Sequence, residues 1–458
     1  MKTNHPHRSA WARKCLLGWC AGMTLLCVPA VAKLTAGEIE RLGKDLTPVG
    51  AERAGNKEGT IPSWEGGMEK PPAGWTPDKG YIDPFAAEKP LFTITAQNLP
   101  QHKDKLGAGQ LGMFQKYPDY RMNVYPTHRT AVLPAEVLAR VKAQAGNVEL
   151  NGFGIKNLNG SNVPFPIPKT GLEVVWNHLV RYLSGGVERR AYSFPVRTNG
   201  DYYKIGFHVY RIYDQNMDEH SENRLFSALG YFTEPPTLKG TTFLVHEPID
   251  QVAEKRSAWI YNAGARRVRR APDLGYDGIN DGSEGMLTTD QVDGYNGAPD
   301  RYDWKLVGKR EVYVAYNTYR IASKSLKYAD IINPGFINPD HVRFELHRVW
   351  VVEATLKPGM SHIYGRRTFY LDEDSWTLLL EDTYSGRGDL WRYAMHGLVQ
   401  YYDVKVPAYH FGTVHDLNAG SYSLGGLDNE SNERIKFDAK GRNVDFQPDA
   451  LRRIGGTR

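Results

Sequence analysis

The spacing of apolar residues changes part-way along the chain. In PAEVLARVKAQAG and GLEVVWNHLVRYLSG they recur at the helical period, which predicts amphipathic helices. A further helix is expected in LTAGEIERLGKDL, where Thr35 and Glu38 match the capping-box pattern, and another in TAQNLPQHKDKL. From about Val187 onward the period becomes two, which predicts strands.

Long alternating runs fill the second half of the sequence. In ERRAYSFPVRTNGDYYKIGFHVYRIYD two such runs flank Asn-Gly, the strongest short hairpin signal. Strands of this length need one face covered by other elements. We therefore predict an α+β fold, with a large, curved, antiparallel sheet and helices packed on its concave side. In HVRFELHRVWVVEATL, the face expected to be buried carries Phe344, Leu346, Arg348, Trp350, Val352 and Ala354.

The first 32 residues predict an export signal. Four basic residues precede the apolar run CLLGWCAGMTLLCVPAVA, which ends in the small-x-small pattern that signal peptidase cleaves. The signal holds all three cysteines, four of the 57 basic residues and none of the 52 acidic residues. After cleavage behind Ala32 we expect a soluble periplasmic protein without disulfides. Its nearly balanced charge argues against nucleic-acid binding.

The mature chain is predicted to have two parts. Residues 33–130 are rich in Gly and Pro with isolated aromatic residues. Isolated aromatic residues need something to pack against, so this segment is expected to be an N-terminal extension that wraps around the rest. Residues 131–458 are expected to form the sheet-and-helix domain.

Six blocks of the mature chain carry a family resemblance. They are GNKEGTIPSWEGG, WIYNAGARRVRRAP, APDRYDWKLVGKREVYVAYN, ELHRVWVVEATLKPG, RRTFYLDEDSWTLLLEDTYSGRGDLWR and FQPDALRRIGGTR. Together they resemble an uncharacterised proteobacterial periplasmic family, the domain of unknown function 1329. That family is grouped by fold with the outer-membrane lipoprotein-sorting carriers LolA and LolB.

The resemblance implies an incomplete barrel of antiparallel strands, closed by helices around an apolar cavity. Genes of the family often lie beside those of an outer-membrane barrel protein and a large efflux-type transporter. This neighbourhood implies movement of lipophilic material across the envelope, and both membrane proteins are possible partners.

The function that these observations predict is binding or carriage of a hydrophobic or amphiphilic ligand, such as a lipid or a lipoprotein acyl chain. The mature sequence has no Gly-x-Ser-x-Gly, His-Glu-x-x-His, phosphate loop or cysteine nucleophile, so we expect no catalytic residues and no cofactor. Two alternatives stay open. One is an assembly or adaptor factor for the barrel protein or transporter, and the other is a periplasmic hydrolase of lipophilic esters.

Aromatic and basic residues on the predicted strands are the candidate ligand contacts. If Asn262 to Ala265 form a turn, Tyr261 faces Arg266 across a hairpin. The arginines after that turn either lie in solvent, covering Trp259 with their stems, or meet an acidic or phosphorylated head group at the cavity rim. A guanidinium at Arg348 on an apolar face needs an acid or a head group as its partner. The candidate set is Trp259, Tyr261, Arg267, Arg269, Arg348, Trp350 and Trp391.

The Asp- and Gly-rich segment 274–304 raises the question of calcium. Its carboxylates suit calcium, but Ile279 occupies a position where the helix-loop-helix calcium pattern requires a ligand. The pairs His341 with His347 and His410 with His415 are not spaced to form a local metal site. We therefore predict no metal and expect segment 274–304 to be a mobile loop near the mouth of the cavity.

Overall fold

A large sheet organises the protein. The computed structural model describes residues 33–456, which belong to one compact unit, and the predicted export signal lies outside these residues. The strands of the described chain are β1 (Phe92–Ile94), β2 (Met122–Val124), β3 (Glu149–Asn151), β4 (Gly154–Lys156), β5 (Gly186–Val196), β6 (Ile205–Tyr213), β7 (Arg224–Glu234), β8 (Thr242–Pro248), β9 (Ser257–Asn262), β10 (Arg267–Arg270), β11 (Tyr302–Ala315), β12 (Phe344–Leu356), β13 (Arg366–Asp372), β14 (Leu378–Tyr384), β15 (Leu390–Tyr401), β16 (Val406–Asp416), β17 (Tyr422–Leu427) and β18 (Lys436–Phe437).

The main sheet is open and mostly antiparallel. Its order in the described chain is β1-β2-β12-β13-β14-β15-β16-β17-β5-β6-β7-β8-β9-β10, with β11 also pairing with β12 and β18 with β5. The contact between β2 and β12 is parallel, and β3 with β4 forms a separate hairpin. The predicted α+β class with a large antiparallel sheet is confirmed. The pairing of β17 with β5 joins strands that are far apart in sequence.

The helices follow the sequence pattern in part. They are α1 (Ala36–Arg41), α2 (Ala108–Lys116), α3 (Ala135–Gln144), α4 (Gly171–Leu179), α5 (Tyr328–Ile331) and α6 (Pro448–Gly456). The capping box of Thr35 and Glu38 is present at α1. Residues 95–106, predicted as one helix, contain two short 3-10 turns instead, because Pro100 disfavours helical backbone at the residue before it. None of the helices in residues 33–456 is long and apolar enough to cross a membrane.

Both faces of the sheet are covered near β14. Neighbouring residues of a strand point to opposite faces, and here Asp382 accepts a hydrogen bond from Gly109 of α2 at 2.8 Å. Glu381 accepts one at 2.8 Å from Gln291, which belongs to the segment between β10 and β11. Helix α4 packs on β11 and β12, and α6 on β8 to β10. Coverage from two sides explains why every residue of β14 is buried.

The two predicted hairpins have different outcomes. The hairpin around Asn-Gly is confirmed, with β5 and β6 antiparallel. The predicted register after Asn262 is wrong, because Tyr261 lies opposite Val268 and not opposite Arg266. Asn262 is the last strand residue, and its side chain accepts a hydrogen bond from the Ala265 backbone at 2.8 Å. The turn therefore starts one residue later and includes Arg266, whose φ is 52°.

Candidate ligand-binding site

A cavity of about 320 Å³ lies between the sheet and the loop 271–301 that joins β10 to β11. This volume is at the lower end of the range for small-molecule sites. Strands β5 to β8 and β15 to β17 supply most of the wall, and the C-terminal segment adds two apolar side chains. The apolar lining residues are Leu183, Val187, Phe207, Val209, Phe232, Phe243, Leu287, Val292, Ala408, Phe411, Val414, Ile435 and Phe437.

Strand alternation and glycine produce the apolar wall. On β6 the side chains of Phe207, Val209 and Arg211 share one face, because residues two apart point the same way, and all three line the cavity. A side chain on Gly230 of β7 would lie 2.3 Å from the ring of Phe243. Glycine at this position therefore allows the ring to lie against the neighbouring strand.

The loop 271–301, called the covering loop below, forms the other wall. The covering-loop residues that line the cavity are Asn280, Gly282, Ser283, Leu287, Gln291, Val292, Asp293 and Gly294. Buried ion pairs fix the loop to the sheet. Arg367 donates to Asp290 at 2.6 Å, and His362 lies 3.1 Å from the same carboxylate. Burial alone would raise the pKa of Asp290, but the charge of Arg367 lowers it to about 2.

Asp293 of the covering loop is bonded to three side chains from outside the loop. Its carboxylate accepts hydrogen bonds from Arg181, Arg211 and Tyr409, each at 2.5 Å. These three donors follow α4 or lie on β6 and β16, so they converge from separate elements. Burial would raise the pKa of Asp293, yet the two guanidinium groups hold this pKa well below its ordinary value. The carboxylate is therefore ionised at neutral pH.

His396 lies beside this cluster and lines the cavity. Its side chain is on β15, only 5% of the residue is exposed, and neither ring nitrogen has a hydrogen-bond partner among residues 33–456. The ring centroid of Tyr409 lies 4.9 Å away. Burial lowers the pKa of His396 to about 4, so the ring is neutral at pH 7 and offers one N–H donor and one acceptor.

A second cavity, of about 590 Å³, lies between residues 79–86 and 319–326. It shares His410 and Ile435 with the first cavity, and its wall is more polar. Cations at its wall donate to backbone carbonyls, as Lys324 does to Asp428 at 2.5 Å. Because the first cavity has the apolar surface that a lipophilic ligand requires, we take it as the candidate site.

The sequence-predicted ligand residues lie elsewhere in the described structure. Arg267 and Arg269 are exposed on the edge strand β10. Trp259 lies between His246, at 5.0 Å between ring centroids, and Arg270, whose guanidinium carbon is 5.6 Å from the indole centroid. Tyr261 is buried in an apolar cluster that includes residues of α6. None of these residues lines the candidate cavity as described.

The other three predicted residues are packed within the sheet region. Arg348 donates to Glu373 at 3.0 Å and to the Ala54 carbonyl at 2.8 Å, so its partner is an acid of the chain. Trp350 is stacked on Trp376 with 6.0 Å between centroids. Trp391 donates to Asp416 at 2.9 Å. These three also lie outside the walls of the described cavity, and ligand binding by the seven residues stays a prediction.

Sequence reasoning missed the polar residues that do surround the cavity. Among them are Arg211, Asp293, His396 and Tyr409, which line the cavity, and Arg181 joins them through its bond to Asp293. Alternation in the β6 run places Arg211 on the same face as Phe207 and Val209, a signal that was available. The convergence of the five depends on the sheet order β15-β16-β17-β5-β6.

One group of possible metal ligands occurs in residues 33–456. It comprises His347, Asp372 and Asp374, whose ligand atoms lie within 4.8 Å of one another. Asp374 is already bonded to Arg129 at 2.8 and 2.7 Å. Burial is the main cause that raises the pKa of Asp372 to about 7. The Ser375 hydroxyl donates to the Asp372 carboxylate at 2.6 Å. This carboxyl therefore has a protein partner without a metal ion.

These features define a class of protein in which an open, mostly antiparallel sheet carries an apolar cavity beneath a long loop. The sequence profile of the family described as "Protein of unknown function (DUF1329)" matches residues 93–452, and the chain belongs to this family. It is 47% identical over 441 residues to an uncharacterised protein of Pseudomonas aeruginosa. That alignment covers 94% of this chain and 96% of the relative.

Three solved structures match this chain at low sequence identity. A DUF1329 family protein from Desulfovibrio piger is 17% identical, covers 58% of this chain and 92% of its own, and gives a TM-score of 0.42. A putative outer membrane lipoprotein-sorting protein domain from Vibrio parahaemolyticus is 16% identical. The match covers 58% of this chain and 92% of that domain, with a TM-score of 0.41. A LolA superfamily protein from Nitrosomonas europaea is 12% identical. The match covers 62% of this chain and 99% of that protein, with a TM-score of 0.38.

Proposed function

We propose that this protein binds and carries a hydrophobic or amphiphilic molecule and performs no covalent chemistry on it. The observation that carries the proposal is the apolar cavity of about 320 Å³ beneath the covering loop. An apolar lining with a few convergent polar groups is the usual character of a small-molecule site. Of the two large cavities described above, this one has the more apolar wall, which suits a lipophilic ligand.

The polar groups at the cavity favour binding over catalysis. Asp293, the ionised carboxylate there, is held by three donors, and an acid in such contacts is a weak proton acceptor. Ser283, which also lines the cavity, donates its hydroxyl to the Asn280 carbonyl at 2.9 Å. These contacts support ligand recognition by a fixed set of polar groups.

The site of action follows from the sequence. The N-terminal pattern of basic residues, apolar run and small-x-small motif supports export to the periplasm. A carrier there would move lipids or lipoprotein acyl chains between the membranes. The barrel protein and efflux-type transporter implied by the family resemblance would be its donors or acceptors.

Filling the cavity tests the proposal. Val209→Trp would place an indole in the cavity, whereas Val307→Trp would change a side chain that is 55% exposed on β11. We expect the fluorescent apolar probe N-phenyl-1-naphthylamine to bind the parent protein and Val307→Trp, and to bind Val209→Trp at least tenfold more weakly. Mass spectrometry of a solvent extract of the parent protein should show a co-purified lipophilic compound.

Two results would contradict the proposal. One is the absence of both probe binding and any co-purified lipophilic compound. The other is equal probe binding by the two tryptophan variants, which would locate the apolar surface somewhere other than this cavity. A broad esterase screen checks the hydrolase alternative, since turnover of a lipophilic ester would replace carriage as the function.

A further inference from the structure

We propose that the ligand is an amphiphile with one carboxylate, and that this carboxylate replaces the side chain of Asp293 between Arg181 and Arg211. The inference rests on the proposed function and adds the chemical class of the ligand. In the described structure, Asp293 of the covering loop would then occupy the head-group position that belongs to the ligand.

The geometry at Asp293 is that of a carboxylate receptor. Two guanidinium groups and one phenol, from Arg181, Arg211 and Tyr409, each donate at 2.5 Å to the same carboxylate. Guanidinium groups match the oxygens of a carboxylate or a phosphate, and the group that they hold here is a carboxylate. All three donors belong to the body of the protein, whereas the acceptor belongs to the covering loop. The donors would therefore keep their arrangement if the loop moved away.

The charges also favour an anionic ligand group at this end of the cavity. The side chains of Arg181, Arg211 and Asp293 are exposed to only 3%, 15% and 15%, so two buried cations share one anion. The acid next to them, Glu247, is already bonded to Arg256 at 2.5 Å. A buried charge without a partner is costly. A ligand carboxylate would therefore be attracted here while the tail occupies the apolar wall.

The backbone at Asp293 suits a replaceable contact. Its φ is 62°, a left-handed conformation that residues other than glycine rarely adopt, and the following Gly294 has a φ of 78°. Such a conformation persists where side-chain contacts hold it. Once a ligand carboxylate takes over the arginines, this turn loses its side-chain bonds. The segment around Asp293 could then shift, while the Asp293 carbonyl keeps its contact with His178 and Asp290 stays bonded to Arg367.

His396 supplies the remaining polar contact. Its buried ring nitrogens have no hydrogen-bond partner in the described part of the chain, and the ring lies next to Tyr409. A buried polar group without a partner is unusual and calls for a ligand or ordered water. A neutral imidazole can donate its N–H to a carboxylate oxygen. The apolar tail would then lie along Phe207 and Phe243.

Probes that share a tail and differ in head group test the inference. Dodecanoate, methyl dodecanoate and dodecanol are each used to displace N-phenyl-1-naphthylamine from the parent protein and from Asp293→Ala. The compared quantity is the affinity for dodecanoate divided by the affinity for methyl dodecanoate. At pH 8 we expect this ratio to be at least ten times higher in Asp293→Ala than in the parent. Replacing Arg211 by methionine should abolish that preference.

Thermal unfolding gives a second readout that does not depend on the apolar probe. Removing Asp293 leaves two buried guanidinium groups without their anion, so the melting temperature of Asp293→Ala should fall. Added sodium acetate should restore part of this loss, whereas sodium chloride at the same ionic strength should not. Asp293→Asn, which retains the size and one carbonyl acceptor, is the variant to use if Asp293→Ala does not fold.

The outcomes separate this inference from the proposed function. If all three probes bind but the head-group preference is the same in the parent, Asp293→Ala and Arg211→Met, the carboxylate inference is overturned and a carrier of neutral lipids remains. A failure of acetate to stabilise either Asp293 variant above chloride would also overturn it. If none of the probes binds the parent protein or Asp293→Ala, the proposed function itself fails.

Discussion

Two buried clusters of arginine and carboxylate have similar chemistry and different surroundings. In the first, Arg181 and Arg211 hold Asp293 of the covering loop beside the apolar cavity. In the second, called the clamp below, Arg129 and Arg348 hold Glu373 and Asp374 in the turn between β13 and β14. The side chains of Arg129, Glu373 and Asp374 are each only 2% exposed.

The difference lies in what else each arginine contacts. In the clamp, Arg129 also donates to the Glu52 carbonyl at 2.8 Å, and Arg348 to the Ala54 carbonyl at 2.8 Å. The clamp therefore ties the N-terminal segment to the sheet. The Asp293 cluster adjoins open volume, and its acid belongs to a loop. The clamp arginines bond to acids and backbone carbonyls of the chain, whereas Arg211 of the Asp293 cluster also lines the cavity.

Breaking the clamp should give the largest loss of stability. Arg129→Leu leaves the carboxylate of Asp374 buried without its main partner, which typically costs about 3 to 5 kcal/mol in free energy of unfolding. Urea unfolding at pH 7 measures this loss. Arg41→Ala, which removes an exposed ion pair with Asp45, is the matched control and should change stability little. Equal effects of the two substitutions would show that the clamp does not hold the fold together.

Truncating phenylalanine in each region sharpens the comparison. Phe369 is 2% exposed in a packed cluster, so Phe369→Ala should cost about 3 to 5 kcal/mol. Phe243→Ala should cost less, because the cavity already deprives that ring of neighbours on one side. Urea unfolding and binding of N-phenyl-1-naphthylamine are measured together. Only Phe243→Ala should weaken binding, and the reverse pattern would place the binding surface in the packed cluster.

Lowering the pH should reduce the free energy of unfolding in both regions, by less than the substitutions above. Burial lowers the pKa of His396, at the cavity, and of His415, in the packed part, to about 4. The unfolded chain binds these protons near pH 6.5, whereas the folded chain binds them only near pH 4. The stability that each neutral histidine contributes is therefore fully present above pH 6.5 and is lost as pH falls toward 4. Within this window each histidine contributes a slope approaching about 1.4 kcal/mol per pH unit.

Replacing each histidine by glutamine checks this assignment. Both variants should show a shallower fall in free energy of unfolding between pH 6.5 and 4.5, measured by urea titrations across that range. His396→Gln alone should also change dodecanoate binding at pH 8, because His415 lies elsewhere and its Nδ1 is 3.2 Å from the Gly335 carbonyl. An unchanged slope in both variants would contradict the pKa shifts.

The sequence was sufficient for the fold class and for some side-chain partners. Period-two alternation predicted the antiparallel sheet, and the need of Arg348 for an acid or a head group was met by Glu373. Helix α2 was not predicted, because its glycines disfavour helix. They are nevertheless required, since a side chain on Gly109 would lie 2.5 Å from Asp382. Local pattern does not report such a close approach between distant segments.

The candidate site was less accessible to sequence reasoning for a related reason. Arginines were sought where they cluster in the sequence, at 266–270, whereas Arg181 and Arg211, from separate elements, bond to Asp293 at the cavity. Their convergence on Asp293 requires the order of strands in the sheet, which includes the long-range pairing of β17 with β5. Segment 274–304 was predicted as a loop near the cavity mouth from its length and glycines. Asp293, which anchors the covering loop, was not distinguished from the other acids.

The smallest effects are expected at the arginines that are most prominent in the sequence. Arg269 is exposed on the edge strand β10, so Arg269→Ala should change the free energy of unfolding by no more than about 0.5 kcal/mol. Arg270→Ala should cost about 0.5 to 1 kcal/mol, because its guanidinium lies over the Trp259 ring at 5.6 Å. Urea unfolding compares the two, and dodecanoate binding should equal that of the parent in both. A loss of binding in Arg269→Ala without a loss of stability would return the edge-strand arginines to the ligand site and weaken the case for the Asp293 cluster.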